Sequence, residues 1–312
     1  MQNGVYQQRI SYSRPPRCQG ARRRGFLIAV PVCSRRHRPT RVHTHGPRVN
    51  PPELAQRLHA AEAVSRDAGR LATRYLADPD ALEVTLKGAQ DVLTAADGAV
   101  ERLIVATLRA AFPRDAFLGE EGGRVNGGGP DDACWVIDPI DGTANFARGL
   151  PHWCVSIALV VAGRTELGVI YDAGADLLYA ATRGAGAWRN GERVSVSTTT
   201  DLARATVDVG YSSRTPVEAF GDLVTVLLRR GINVTQCGSA ALGLARVADG
   251  RLDGYAERHL FAWDALAGLL LVEEAGGCAN AFLTGDALTA GNETIAATPA
   301  LYAVLVDTLA GR

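Results

Sequence analysis

The sequence predicts a mixed fold, α+β in its first half and α/β in its second. Apolar residues recur at three- and four-residue steps between Glu53 and Pro113, as in helices, and short apolar segments then follow one another, as in an antiparallel sheet. After Asp201 strand and helix candidates alternate, which is typical of α/β structure. We therefore divide the chain into a tail (residues 1–52), an N-terminal α+β half (53–200) and a C-terminal α/β half (201–312).

The tail differs from the rest of the chain in its charge. Residues 1–52 hold 11 arginines and no aspartate or glutamate, and we expect them to be disordered. Residues 53–312 hold 22 basic side chains and 33 acidic ones, a net charge of −11. Such an acidic body does not favour a nucleic-acid partner and suits a protein that binds Mg²⁺.

The tail itself has several open interpretations. Arg23 and Arg24, followed by a short apolar stretch, faintly resemble a twin-arginine export signal, and an acid-free, Arg-rich segment is also typical of an organelle transit peptide. The tail can equally be a dispensable extension from an upstream start site, in which case the natural protein begins nearer Leu54. It can also be a basic arm that binds RNA or an anionic surface.

Composition does not favour a membrane protein or a disulfide scaffold. The chain has 312 residues, 47% hydrophobic and 21% charged, and no run of 18 apolar residues. Its six cysteines include no Cys-x-x-Cys pair. We expect reduced, mostly buried thiols in a cytoplasmic protein rather than disulfides or a cysteine metal site.

Two predicted helices open the N-terminal half. The first has an apolar face from Leu54 to Tyr75 and ends before Pro79; the second has Val100 and Leu108 on one face and ends before Pro113. The Gly- and Asp-rich stretch 122–132 is predicted to be a loop.

Strands follow in both halves. In the N-terminal half they are predicted at residues 155–161, 168–171 and 177–181. Asn190-Gly191 predicts a type I′ hairpin after them. In the C-terminal half we predict strands at 205–209, 232–235 and 254–257 and helices at 216–230, 239–249, 264–275 and 298–309.

The most informative stretch is Trp135-Val-Ile-Asp-Pro-Ile-Asp-Gly-Thr143. The apolar residues 134–137 predict a buried strand that ends at two aspartates, Asp138 and Asp141. Gly142 permits a tight turn, and a helix can start at Thr143. Carboxylates at the mouth of a strand can hold Mg²⁺, and N–H groups at a helix start can hold phosphate oxygens.

This stretch resembles the metal-binding motif of the inositol monophosphatase family of Mg²⁺-dependent phosphatases. The resemblance runs from about Leu54 to the C-terminus, and two more motifs carry it in the family's order: Gly-Glu-Glu at residues 119–121 and Ala-Trp-Asp-Ala-Leu-Ala-Gly at residues 262–268. It implies a layered α-β-α-β-α sandwich of the inositol monophosphatase / fructose-1,6-bisphosphatase type.

The resemblance also implies a metal centre with two or three Mg²⁺ ions. Its implied ligands are Glu120, Asp138, the Ile140 carbonyl, Asp141 and Asp264. Oxygen ligands are those that Mg²⁺ prefers, and the sequence has no His/Cys cluster at zinc spacing. Several carboxylates are needed to offset the repulsion between two close cations.

Catalytic and substrate-binding roles follow from the same resemblance. Thr143 and Glu120 are implied to hold the attacking water, with Asp97 supporting Thr143. Lys87 resembles a lysine near the family's site, and a solvated surface lysine is an equally good interpretation. The implied substrate contacts are Ile140, Asp141, Gly142, Thr143, Gly238, Ser239, Ala240, Glu257 and Asp264.

The activity implied by the resemblance is hydrolysis of a small phosphorylated substrate. Asn145-Phe146 and the position of Glu257 favour myo-inositol 1-phosphate, and histidinol phosphate, fructose 1,6-bisphosphate and phosphoadenosine phosphate remain alternatives within the family. Relatives are inhibited by lithium and are commonly homodimers, so we expect both here. An alternative of another class is a nucleic-acid or anionic-surface binder that acts through the basic tail.

Overall fold

The computed structural model of the protein describes residues 50–88, 91–125 and 133–311. The described residues all belong to one compact unit, Cys33–Arg312. The prediction of a disordered tail falls on residues 1–49, which lie outside the described residues. Its boundary at residue 52 is wrong by a few residues, because Asn50 caps a helix whose first turn contains Pro51 and Pro52.

Helices and strands alternate through the described part of the chain. The helices are α1 (Pro51–Leu76), α2 (Pro79–Leu82), α3 (Ala95–Ala111), α4 (Thr143–Phe146), α5 (Val217–Arg229), α6 (Ala240–Ala248), α7 (Ala262–Glu274), α8 (Ala287–Ala290) and α9 (Pro299–Leu309). The strands are β1 (Thr85–Gly88), β2 (Asp91–Leu93), β3 (Ala116–Gly119), β4 (Gly123–Val125), β5 (Cys134–Asp141), β6 (Cys154–Val161), β7 (Arg164–Asp172), β8 (Leu177–Thr182), β9 (Gly186–Arg189), β10 (Glu192–Arg193), β11 (Thr206–Val209), β12 (Asn233–Thr235), β13 (Gly254–Leu260), β14 (Cys278–Ala279) and β15 (Asn292–Ala297). None of the helices in these ranges is long and apolar enough to cross a membrane.

Two large sheets organise the molecule. The first has eight strands in the order β10-β9-β8-β7-β6-β5-β3-β4, antiparallel except for the parallel pair β3 and β5. The second has five strands in the order β12-β11-β13-β15-β14, with β11 parallel to both β12 and β13. The first sheet ends at Arg193 and the second begins at Thr206, so residue 200 lies between them.

Helices cover both faces of each sheet. In β5, Trp135 and Ile137 belong to the core under α1 and α3, whereas Val136 on the opposite face belongs to the core around α6 and α7. That second core also contains Tyr255 and Ala296 of the five-stranded sheet, so α6 and α7 form a central layer. Helices α5 and α9 pack on the outer face of the five-stranded sheet. The predicted α-β-α-β-α sandwich is thereby confirmed.

Close packing of the central layer depends on small residues. A Cβ at Gly168 in β7 would lie 2.7 Å from the Cα of Ala267 in α7, so only glycine allows this approach. Such contact fixes α7, and with it the N-terminal end of that helix, relative to β5 and β6.

Most predicted elements are present, with several differences. The short helices α2 and α8 and the strand β3 were not predicted. The predicted loop at 122–132 contains β4, and the strand predicted at 134–137 extends to Asp141. The hairpin of β1 and β2 and the antiparallel strands β14 and β15 were not predicted. The Asn190-Gly191 hairpin is present, with positive φ angles of 49° and 80° as type I′ requires. The four cysteines in the described ranges are free thiols.

Candidate active site

The site begins where β5 leaves the sheet. Asp138 is paired with Ser156 and Asp141 with Cys154, so three steps along β5 match two steps along β6. In a regular strand, the side chains of residues three apart point to opposite faces of the sheet. The bulge in β5 lets the side chains of Asp138 and Asp141 point to the same side. The Asp138 carboxylate also accepts a hydrogen bond from the Ile140 N–H at 2.9 Å, which stiffens the turn.

A third carboxylate reaches the same place from the central layer. Asp264 lies in the first turn of α7 and accepts a hydrogen bond from the Phe261 N–H at 3.1 Å. One oxygen each from Asp138, Asp141 and Asp264 lies within 4.8 Å of the other two. The dipole of α7 favours a carboxylate at its N-terminal end. This effect is too small to offset the repulsion between the Asp264 carboxylate and those of Asp138 and Asp141.

The electrostatics of this group are unfavourable for the carboxylates alone. Burial raises the pKa of Asp138 well above its ordinary value, and the charges of Glu120, Asp141 and Asp264 raise it further. Burial followed by the charges of Asp141 and Glu120 likewise raises the pKa of Asp264. A bound cation would stabilise the ionised form of these acids, two of them buried and Asp264 half-buried, and oxygen-only donors suit Mg²⁺.

Asp141 is held in place from α6. The Ser239 hydroxyl and the N–H groups of Ala240 and Ala241, the latter two at 3.3 and 2.8 Å, donate to its carboxylate. These bonds oppose the effect of burial, which nevertheless leaves the pKa of Asp141 raised. The beginning of α6 therefore orients one member of the carboxylate group.

Thr143 connects the motif to α3. Its hydroxyl lies 2.9 Å from the Ile140 carbonyl and 3.3 Å from Asp97 Oδ1. Asp97 is buried and accepts the Thr94 N–H at 2.8 Å, and burial raises its pKa. Gly142, just before Thr143, has φ = 92°, and a Cβ there would lie 2.7 Å from the His152 carbonyl oxygen.

A cavity of about 300 Å³ opens beside these residues. The Glu257 carboxylate forms part of its wall and accepts a hydrogen bond from the buried Tyr255 hydroxyl. Burial, with the charges of Asp141 and Asp208, raises the pKa of Glu257 to about 8 although the Tyr255 bond opposes this. The cavity thus has a carboxylate group at one side and a hydrogen-bonding glutamate at another.

An aromatic wall borders the same cavity. Phe261 stacks on Trp263 with ring centroids 4.5 Å apart, and the Arg214 guanidinium lies 4.3 Å from the Phe261 ring centroid. This wall gives one side of the cavity an apolar surface.

Comparison with known proteins supports one family. The inositol monophosphatase family matches residues 53–310. The chain belongs to this family. Nus factor SuhB of Escherichia coli strain K12 is 41% identical over 247 residues, which cover 76% of this chain and 92% of that protein.

Solved structures agree with that assignment. The SuhB protein of Bartonella henselae has a TM-score of 0.75 and 33% identity, covering 80% of this chain and 97% of that one. An inositol monophosphatase from Anabaena (Nostoc) sp. PCC 7120 has a TM-score of 0.71 and 34% identity, covering 83% and 96%. The phosphatase class and the sandwich fold therefore rest on family membership as well as on geometry.

In this member of the inositol monophosphatase family, most residues predicted for the site lie together. Those lining the cavity are Glu120, Asp141, Gly142, Thr143, Gly238, Ser239, Ala240, Glu257 and Asp264. Asp138, Ile140 and Asp97 are buried and lie next to lining residues, Asp138 in the three-aspartate group and the other two in hydrogen bonds with Thr143. The side chain of Lys87 lies outside the described residues.

Two further residues near the site were given no site role from the sequence. Asn145 donates to the carbonyl groups of His152 and Cys237 at 2.8 and 2.9 Å and so ties the motif to the segment before α6. Asn145 lies two residues after the motif and was used in the sequence analysis only as an indication of the substrate. Asp208 also lines the cavity, and no motif marked it.

Proposed function

We propose that the protein is a Mg²⁺-dependent phosphomonoesterase that hydrolyses myo-inositol 1-phosphate, or a similar inositol monophosphate, to inositol and phosphate. The observation that carries the proposal is the convergence of Asp138, Asp141 and Asp264 within 4.8 Å beside the cavity. Family membership supports the phosphatase class, and the similarity to the Anabaena inositol monophosphatase supports the substrate.

The metal centre holds two or three Mg²⁺ ions in this proposal. The proposed ligands are Glu120, Asp138, the Ile140 carbonyl, Asp141 and Asp264. When bound, the ions supply positive charge that lowers the pKa of water and neutralises the phosphate oxygens. Glu120 lines the cavity outside the three-aspartate group, and its charge raises the pKa of both Asp138 and Asp264, which supports its inclusion among the proposed ligands.

The protein's own groups position the reactants. The Thr143 hydroxyl and Glu120 orient the attacking water, and Asp97 accepts a hydrogen bond from Thr143. The Gly142 and Thr143 N–H groups hold phosphate oxygens. Phosphoryl transfer depends mainly on positioning and on neutralisation of charge, so no covalent phospho-enzyme is required.

Recognition of the leaving group occurs at the other side of the cavity. Glu257 is 4% exposed and accepts hydroxyl hydrogen bonds, and Gly238 also lines the cavity. Ser239 and Ala240 act mainly by holding Asp141, to which both donate. We also propose that Lys87 lies near the site and takes part in catalysis, as the family resemblance implies.

A substrate panel tests the proposal. Chelator-stripped protein is assayed with and without Mg²⁺ on inositol 1-phosphate, histidinol phosphate, fructose 1,6-bisphosphate and phosphoadenosine phosphate, and kcat/KM is ranked. We expect Mg²⁺-dependent hydrolysis with inositol 1-phosphate first. Asp138→Ala should abolish turnover, and the exposed-acid control Asp67→Ala should not. Another ester ranking first would refute the substrate, and Mg²⁺-independent hydrolysis would refute the mechanism.

Three further properties are proposed from the family resemblance. We propose that Li⁺ inhibits the enzyme, that it forms a homodimer and that it acts in the cytoplasm, with residues 1–52 either dispensable or a targeting segment. Each property has its own test. Activity is measured at millimolar Li⁺, the mass of the particle is measured by light scattering, and the full-length chain is located by cell fractionation. A shortened chain that begins at residue 50 is compared with the full-length chain. The comparison shows whether the removed tail contributes to cellular location or to RNA binding.

A second candidate function is favoured by the similarity to Nus factor SuhB. We propose that the chain can also act as a Nus factor. The test is complementation of an E. coli strain that lacks SuhB by the wild-type chain and by Asp138→Ala. Growth rescue by both places this function outside the hydrolytic site, whereas rescue by neither refutes it.

A further inference from the structure

Helix α3 carries two buried carboxylates, and the proposed mechanism uses one of them. Asp97 is 1% exposed and Glu101 is 7% exposed. Because they are four residues apart on a helix, their side chains lie on the same face, one turn after the other. Asp97 accepts a hydrogen bond from Thr143. Burial of a carboxylate is costly unless hydrogen bonds compensate for it, so the partners of Glu101 indicate what it does.

Glu101 accepts two hydrogen bonds from the turn between β3 and β4. Its Oε2 accepts the Glu121 N–H at 2.9 Å, and its Oε1 accepts the Gly122 N–H at 2.7 Å. Hydrogen bonds from N–H groups to a carboxylate are stronger than those between neutral groups. Each oxygen thus binds one of two consecutive N–H groups, and the turn is fixed at two points to α3.

Glycines leave space for the Glu101 carboxylate. A Cβ at Gly122 would lie 2.6 Å from Glu101 Oε1, and a Cβ at Gly119 would overlap the same carboxylate. A side chain at either position would therefore displace the group that holds the turn.

Glu120 lies at the start of this turn. Its N–H donates to the Ile137 carbonyl of β5 at 3.2 Å, and the next two N–H groups along the chain donate to Glu101. Three consecutive N–H groups are thus held by β5 and α3. Since Glu120 lines the cavity, fixing its backbone limits the positions that its carboxylate can reach there.

We propose that Glu101 is a positioning residue that fixes the Glu120 carboxylate for metal binding and for orientation of the attacking water. The inference rests on the proposed function and deepens it. Asp97 holds Thr143, and Glu101 holds the turn that carries Glu120. A single helix, α3, thereby sets the distance between the two groups that orient the water.

Glu101→Gln tests the proposal. The variant keeps the side-chain volume but replaces one acceptor oxygen by an NH₂ group, which cannot accept a hydrogen bond from the turn. We expect the Mg²⁺ dissociation constant of substrate-free protein, measured by titration calorimetry, to rise about tenfold. At saturating Mg²⁺, kcat for inositol 1-phosphate should fall about 10- to 100-fold with KM within about twofold, because Glu120 does not contact the leaving group in this mechanism.

Glu274→Gln is the matched control. The two carboxylate oxygens of Glu274 accept the N–H groups of Gly184 and Gly186 at 2.7 and 2.9 Å, in the turn between β8 and β9. None of these three residues lines the cavity. The control should therefore leave Mg²⁺ affinity and kcat within about twofold, and denaturant unfolding shows how much stability each variant loses.

Amide hydrogen exchange of the metal-free protein measures the turn directly. In Glu101→Gln, the Glu121 and Gly122 amides should exchange about tenfold faster, and those of Gly184 and Gly186 should not change.

A second variant serves if Glu101→Gln does not fold. Gly122→Ala displaces the carboxylate from an exposed position and should give the same losses. Its control is Gly221→Ala, because a Cβ at Gly221 would meet nothing within 4 Å.

Each outcome has a defined meaning. Losses of Mg²⁺ affinity and kcat in Glu101→Gln, but not in Glu274→Gln, support the proposal. Unchanged values in Glu101→Gln, or equal losses in both variants, overturn it. Unchanged values in Glu120→Gln remove Glu120 from the proposed ligands and overturn the positioning role with it. Failure of the wild-type chain to hydrolyse inositol 1-phosphate refutes the proposed substrate instead, and the Mg²⁺ affinities then decide the role of Glu101.

Discussion

Thr143 and Asp97 lie 46 positions apart in the chain, yet the Thr143 hydroxyl is 3.3 Å from Asp97 Oδ1. The same hydroxyl is 2.9 Å from the Ile140 carbonyl, and it has only one proton to donate. A cation that engaged the Ile140 carbonyl would leave Asp97 as the remaining acceptor. The hydroxyl would then present its lone pairs to water in a fixed direction.

Loss of this hydroxyl should affect turnover more than binding. We expect Thr143→Val to lower kcat about 100-fold with little change in KM, because water orientation matters mainly in the transition state. The matched control is Thr308→Val, which removes a buried helical hydroxyl in α9 far from the site in the chain. Steady-state kinetics measures both, and an equal loss in the two variants would argue against a role for Thr143 in turnover.

Ser239 should link the stability of α6 to metal affinity. Its hydroxyl donates to Asp141, and its oxygen also accepts the Leu242 N–H at 3.4 Å as the helix cap. Ser239→Ala should lower the free energy of unfolding by about 1 kcal/mol and raise the Mg²⁺ concentration for half-maximal activity about tenfold.

The comparison variant for Ser239 is Asn50→Ala, which removes the cap of α1. It should cost similar stability, measured by denaturant unfolding, without changing the Mg²⁺ dependence. If both variants shift the Mg²⁺ dependence alike, Ser239 acts only through general stability.

The three-aspartate group should destabilise the metal-free protein. Because the pKa of Asp138 is raised in the folded state, its contribution to stability is complete below its ordinary pKa and is lost as the pH rises. Asp138→Asn should therefore raise the Tm of chelator-stripped protein at pH 8 and remove the Tm increase that Mg²⁺ gives the wild type. Asp67→Asn should change neither, and a lower Tm in Asp138→Asn without metal would contradict the account.

Glu257 should give a separate pH dependence. Its pKa is raised to about 8, so its stabilising contribution persists at neutral pH and is lost as the pH rises through 8. We expect the Tm of metal-free wild type to fall between pH 7 and 9, and to fall less in Glu257→Gln. Glu218→Gln, at an exposed position in α5, should follow the wild type. Parallel curves for all three proteins would exclude the effect.

The sequence predicted elements whose pattern is local. Helices α1 and α3 have apolar faces at helical spacing, and β5 begins with a continuous apolar run that is followed by Asp138. The strand β15 was missed because its first residues are polar and its place is set by pairing with β13 and β14, which are distant in the chain. Non-local pairing of this kind leaves little trace in a short segment.

Site residues inside specific sequence motifs could be predicted from the sequence. Residues that are buried by elements distant in the chain could not. Asp138, Asp141 and Asp264 were selected by their flanking residues. Asp208 lies between Val207 and Val209, an alternation that indicates an exposed position for the aspartate. Helix α6 covers that face instead, with Gly243 against the carboxylate, so the residue is buried.

The positions of the bound metal ions are the decisive observation for the proposed metal centre. Crystals of the full-length chain grown with Mn²⁺ in place of Mg²⁺ would give anomalous scattering at each bound ion. We expect peaks within about 2.5 Å of carboxylate oxygens of Asp138, Asp141 and Asp264. Absence of a peak among these three carboxylates at saturating Mn²⁺, or peaks only elsewhere, would contradict it.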